Sequence, residues 1–195
     1  MKKVYNYIIL LLVIALLIVE TMLIIKYGGN YKNEKEIKNS LYSITKAIED
    51  NNTINEATST NMEFKGYNVE GIIEIPKINI KYPIIDHTDE ETMKVSVTKF
   101  WGPKVNEIGN YTIAGHNNRD GTMFGKTKRL KTGDVIKMTG LDNKTIEYKI
   151  FDIYSIDPNN VSIVNSVDPS TREVTLITCT KGHKNRLITK AREIQ

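Results

Sequence analysis

Glu173-Val174-Thr175-Leu176-Ile177-Thr178-Cys179 reads as one β-strand that runs straight into the only cysteine of the 195-residue chain. Val, Thr and Ile dominate it, residue types that fit a pleated, buried surface. Arg186 lies seven residues after the cysteine and opens a second such run, Arg186 to Ala191, so a short hairpin-like connection would bring the guanidinium beside the thiol. Upstream, Thr145 to Ile156 alternates Ile146, Tyr148 and Ile150, and Val135 to Thr139 follows the Gly133-Asp134 turn. Asn110 to Ala114 is a brief strand ending at Gly115-His116, and Val69 to Ile75 ends at Pro76. Ile78 to Ile85 alternates up to Pro83, which favours an edge or the end of a strand. Glu90 to Val95 fits one or two helical turns, and Met123 to Lys128 a short helix carrying Phe124 under the histidine loop. A long connection joins Asp157 to Arg172. Many short strands at this spacing predict a closed or nearly closed all-β domain over residues 66–195.

The amino-terminal part has another texture. Residues 1–7 are a short head containing Lys2 and Lys3, and residues 8–25 hold a single acid, Glu20. That run is close to the ~20 apolar residues that span the ~30 Å hydrocarbon core as a helix. A cleavable signal peptide shares the basic head and apolar body, but Met22 to Tyr27 offers no small-x-small site, and a retained anchor is the better reading. Basic residues ahead of the run place the head in the cytoplasm and the rest outside. Residues 26–65 read as a helical stalk and polar linker. Ile37, Leu41, Ile44 and Ile48 recur at helical spacing from about Asn33 to Asp50, followed by the polar, threonine-rich Glu56 to Asn61.

Composition narrows the function classes. The 27 basic and 23 acidic residues give a net charge of only +4 and are interspersed after the anchor, unlike the clustered footprint of a nucleic-acid site. Cysteine and histidine spacing fits no zinc motif, and no glycine-rich phosphate loop is present. A solitary cysteine in an extracellular domain is a buried apolar residue, a link to a partner, or a reactive thiol. His116 and Cys179 each follow a strand-like run, where reactive side chains commonly sit on a rigid scaffold. A thiol and an imidazole together perform acyl transfer, and an arginine stabilises the oxyanion that develops.

The local strings around these residues resemble the sortase family. Thr112-Ile113-Ala114-Gly115-His116 is similar to its histidine motif, Thr175-Leu176-Ile177-Thr178-Cys179 matches its TLxTC motif, and Arg186-Leu187-Ile188-Thr189 falls where its essential arginine opens the final strand. Gly71 to Pro76, followed by Tyr82-Pro83-Ile84, looks like its first two strands, and the resemblance runs from Gly66 to Arg192. It implies an eight-stranded sortase-type β-barrel with short helices behind a signal anchor on the outer face of a Gram-positive membrane, and a transpeptidase needing no cofactor or metal. Cys179 would attack the threonine carbonyl of an LPxTG-like C-terminal sorting signal on a surface protein. His116 would be acid, then base, and Arg186 would orient the signal and hold the oxyanion. The acceptor amine would come from lipid II or a similar precursor, or from a pilin lysine.

Thr178 and Ala114 become candidate substrate contacts, and Val161, Ile163 and Val164 a candidate wall for an apolar substrate position. Asp120-Gly121-Thr122-Met123-Phe124-Gly125 is similar to the class handling NPxTN-like signals, and no upstream Asp-Pro-aromatic lid is visible, so the class stays between D-like and B-like. A membrane-tethered cysteine peptidase and a non-enzymatic surface binding module compete with this reading. Trp101 reads either as a plug at a barrel end or as an exposed recognition aromatic. His87 reads as surface, Asp120 as no third member of a triad, and His183 as a loop residue.

Overall fold

The chain forms two units, residues 1–43 and 44–195. The structure, a computed structural model, describes residues 2–51 (backbone alone at 2–3, 25–34 and 49–51), 62–160, 162–165, 168, 170–180, 182 and 184–194. One helix, α1 (Lys2–Asn51), runs through both the apolar segment and the amphipathic segment after it. Within it, Val4–Ile24 has a mean hydropathy of 2.9, is wholly unburied, and is long and apolar enough to cross a membrane. The helical periodicity after Asn33 shows its physical basis in the second unit, where Ile44 and Ile48 are buried. The polar linker expected at Glu56 to Asn61 lies outside the described residues.

Among the described residues nine strands follow: β1 (Glu63–Phe64), β2 (Tyr67–Ile75), β3 (Ile80–Ile85), β4 (Val97–Trp101), β5 (Gly109–Ala114), β6 (Val135–Gly140), β7 (Thr145–Ile156), β8 (Arg172–Cys179) and β9 (Arg186–Glu193). They run in the order β1-β2-β3-β4-β5-β8-β9-β7-β6, and β2 also pairs with β6. That last pairing closes eight strands into a barrel, with β1 a two-residue appendage on β2. Gly71 permits the closure. It faces Gly140 across the seam, and a Cβ there would sit 2.6 Å from the Thr139 carbonyl oxygen. Ile73, Ile75, Ile84, Ile113, Ile136, Met138 and Ile150 are fully buried. A barrel of about eight strands is filled by such side chains rather than hollow, and each contributes roughly 1.5–3 kcal/mol on leaving water.

Two local expectations need correction. The alternation beginning at Ile78 does not mark a strand start. Pro76, with its preset φ, opens a 3-10 turn over Pro76–Ile78, Asn79 turns left-handed at φ 51°, and β3 begins only at Ile80. Pro83 is accommodated because β4 pairs only with Ile84 and Ile85, leaving the part of β3 around Pro83 with β2 alone beside it. The Ser96 hydroxyl donates to the Pro83 carbonyl there. Nor is Met123 to Lys128 a helix. Met123 has φ 49° and bridges to Asn117, its N–H donates to the Tyr82 hydroxyl at 2.9 Å, and a 3-10 turn forms only at Thr127–Arg129. The short helix at Glu90–Val95 (α2) forms as read, closed at its start by a reciprocal Asp89–Thr92 capping box.

Candidate active site

β8 sits between β5, parallel to it, and β9, antiparallel to it. Six of its eight residues are buried, so its register is strongly specified. In the β8–β9 ladder Cys179 is the direct partner of Arg186, and the Arg186 Nη1 group donates to the Cys179 sulfur at 3.3 Å. The loop between them is tied at its neck: the Thr180 N–H donates to the Asn185 carbonyl at 2.9 Å, and the Asn185 N–H returns a bond to the Thr180 hydroxyl. This is the hairpin geometry that a seven-residue separation requires.

On the other side, Ala114 of β5 pairs with Ile177 of β8. Because the strands are parallel, the same register carried two residues further along each would bring His116 to Cys179. The ladder gives way there to three specific bonds that hold the histidine loop to β8. The Gly115 N–H donates to the Ile177 carbonyl at 3.1 Å, the Thr178 hydroxyl donates to the Gly115 carbonyl at 2.6 Å, and the Asn117 amide donates to the Cys179 carbonyl at 2.6 Å. The His116 carbonyl accepts from the Phe124 N–H at 3.0 Å. The fully buried Phe124 ring lies so close to Gly115 that a Cβ on that residue would be 2.6 Å from it. His116 itself is solvent-exposed. The thiol, the guanidinium and the imidazole-bearing loop thus meet at one end of the barrel.

A cavity of about 540 Å³ opens at this point, lined among others by Asn117, Arg119, Lys128, Cys179 and Leu187. A larger one, about 740 Å³, lies at the start of β8, where Arg172 stands seven residues from Cys179. At ~3.3 Å per residue that separation is roughly 23 Å. Its polar groups are mutually engaged: the Asn106 amide donates to the Met138 and Lys144 carbonyls, and Arg172 binds the Asn106 carbonyl and Glu193. Among the described residues, no cysteine, serine or histidine lines it.

The remaining candidates divide. Thr178 is buried and its hydroxyl is committed to the Gly115 carbonyl, so it positions the histidine loop; it does not face an open groove. Thr178→Val should therefore leave a buried carbonyl unsatisfied and lower stability by about 1–3 kcal/mol. Denaturant unfolding would measure that cost, and an unchanged midpoint would contradict the positioning role. Ala114 is buried in the ladder between Thr98 and Ile177. Ile163 is only 5% exposed and packs with Ile177 and Ile188, joined by the partly buried Val164, so it forms floor beneath β8 and β9. The Asn110 amide fixes this segment by donating to the Ile163 and Val164 carbonyls, and the Thr175 hydroxyl in turn donates to Asn110. Val161 and His183 lie outside the described residues.

Trp101 is 60% exposed, which removes the plug reading and leaves an exposed aromatic beside Phe100. His87 is at the surface between Asp86 and Asp89, and the hydrogen bond to Asp86 raises its pKa above the usual histidine value. Asp120 is occupied by the Thr122 N–H and hydroxyl. Sequence reading missed Asn117 and overlooked Arg119 and Lys128. An amide directly after the histidine was the available signal for the first.

A closed eight-stranded barrel with a free cysteine and an arginine as ladder partners at adjacent strand ends defines a cysteine-centred β-barrel protein. A sortase-domain family model matches residues 73–194, and the chain belongs to the sortase family. It is similar to sortase A of Listeria monocytogenes, 32% identical over 114 residues that cover 58% of this chain and 50% of that one. It is also similar to sortase D of Bacillus subtilis, 29% identical over 179 residues covering 86% and 88%. The matches thus span about half of the Listeria chain and 55% of sortase A from Bacillus anthracis. Among solved structures, a Clostridium perfringens sortase D5 transpeptidase superposes with a TM-score of 0.66 at 25% identity, covering 83% of this chain and 99% of that one. A Clostridium perfringens sortase C described with the C-terminal cell wall sorting motif superposes with a TM-score of 0.60 at 25% identity, covering 88% and 97%.

Proposed function

We propose that the protein is a membrane-anchored, extracellular cysteine transpeptidase that cleaves an LPxTG-like sorting signal after threonine and passes the acyl group to a cell-wall precursor amine. The Arg186–Cys179 contact, at the strand end where the His116 loop is fastened, is the observation that carries this reading. The Cys179 thiolate attacks the threonine carbonyl carbon, forming a C–S bond and a tetrahedral oxyanion. Arg186, whose guanidinium already reaches the sulfur, lies where that charge develops. Collapse breaks the C–N bond, and the His116 imidazolium donates its proton to the departing amine. The acceptor amine then attacks the thioester, His116 takes the proton back, and the thiolate leaves. The Val4–Ile24 helix would tether the enzyme, with Lys2 and Lys3 favouring a cytoplasmic amino end.

The test is to incubate the full chain in detergent with LPxTG-, NPxTN- and variant-signal peptides plus amines and follow the products by mass spectrometry. An acyl adduct on Cys179 and an amine-ligated peptide are expected. Hydrolysis alone would make the protein a peptidase, and absence of any adduct would overturn the proposal.

A further inference from the structure

The cavity beside Cys179 has a charge pattern that the transfer of an acyl group from a neutral peptide does not require. Among the described residues, Arg119 and Lys128 line it, no aspartate or glutamate does, and neither cation has an ion-pair partner. Arg186 adds a third cation at the sulfur. The nearest acid in sequence, Asp120, is turned to Thr122, and the Asn118 amide also donates to Thr122. Gly125 keeps this wall tight, since a Cβ there would lie 2.2 Å from the Asn118 carbonyl oxygen. Leu187 adds an apolar side chain to the lining. A cleft lined by one sign of charge concentrates ligands of the other sign.

We infer that Arg119 and Lys128 form an anion subsite for a carboxylate carried by the acceptor amine. The inference rests on the transpeptidase reading and deepens it. Arg119 is three residues beyond His116, on the loop whose imidazole would take the proton of the attacking amine, so a substituent a few bonds from that nitrogen falls toward the cationic wall. The chemistry also separates acceptor from leaving fragment. In a sorting signal, the residue after the cut continues into a peptide bond, so its carboxyl is neutral. An acceptor whose amine belongs to a residue with a free carboxylate retains that charge. The cationic wall would therefore favour the acceptor over return of the fragment just released, and bias the thioester toward transfer.

Two acceptors with amines of similar basicity, glycylglycine and glycylglycinamide, differ at one carboxylate. With the full chain in detergent and saturating signal peptide, kcat/KM for glycylglycine should exceed that for the amide by roughly five-fold at low salt, the effect of two unit charges about 8 Å away in a water-like medium. The preference should shrink toward one in about 0.5 M salt, where charges more than a few ångströms apart are screened. It should vanish in the Arg119→Gln/Lys128→Gln double variant while release of the C-terminal fragment stays within about two-fold. Equal use of both acceptors by wild type, or a preference retained by the variant, overturns the inference. So does a preference that appears only in fragment release, when signal peptides with Glu or Gln following the glycine after the cut are compared, which would assign the subsite to the donor.

A second measurement stands apart from acyl transfer. Cys179 is the only thiol, so its alkylation rates with iodoacetate and iodoacetamide report one atom. The iodoacetate-to-iodoacetamide ratio should fall roughly five-fold in the double variant, on the same charge argument. An unchanged ratio overturns the anion subsite whether or not transfer occurs. A reduced ratio without any acyl adduct would leave the subsite standing and remove the transpeptidase reading instead.

Discussion

Cys179→Ala should abolish both the acyl-enzyme and the ligated product, a loss on the order of 10⁴-fold or more, because the covalent path disappears and only binding and charge stabilisation remain. Cys179→Ser should be nearly as inactive, since a neutral hydroxyl is a far weaker nucleophile than a thiolate and the proposed mechanism starts with His116 as an imidazolium, which cannot take the hydroxyl proton. The fold should survive both changes. Cys179 is partly exposed at the last position of β8, and its neighbours in the ladder are held by backbone bonds rather than by the sulfur. The Asn117 amide binds the Cys179 carbonyl, which either substitution retains. Thermal midpoints within a few degrees of wild type are therefore expected. Mass spectrometry of the peptide reaction reads the chemistry, and residual turnover within about a hundredfold of wild type would exclude the thiol as nucleophile.

Where local sequence determines geometry, the site could be read in advance. The run from Glu173 to Cys179 and the run from Arg186 to Ala191 are strongly β-forming, so the seven-residue interval between thiol and guanidinium translates directly into ladder partners. The place of His116 at a strand end was equally available, because strand Asn110 to Ala114 ends just before it, although the parallel pairing that carries its loop to β8 is not a local property. Tertiary contacts decided the rest. Met123 to Lys128 has helical composition, but the Tyr82 hydroxyl and the His116 carbonyl, both outside the segment, capture the N–H groups at its start and hold it as a loop. Thr178 looked like a substrate contact because it precedes the nucleophile, and only the structure shows its hydroxyl spent on Gly115. Ile163 was read as part of a wall for an apolar substrate position, but it is packed inward with Ile177 and Ile188 under β8 and β9.

Arg186→Ala should lower kcat/KM for ligation by roughly 10²–10³, the usual consequence of removing one donor from a developing oxyanion. The argument depends on direction. Its Nη1 group points at the sulfur from the adjacent strand, and once the thiolate has bonded to the substrate carbon, the oxyanion forms on that same carbon, two bonds from the sulfur. Arg186→Lys tests whether charge suffices. An ammonium is a point charge without the planar fork that can serve sulfur and oxygen together, so it should recover less than about tenfold of the loss. Iodoacetamide supplies the control. Alkylation of Cys179 should remain within several-fold of wild type in both variants, because the thiol and its strand are intact, while the peptide reaction collapses. If Arg186→Ala ligates within about threefold of wild type, the contact is structural packing at a strand end, and the oxyanion must be stabilised by backbone N–H groups alone.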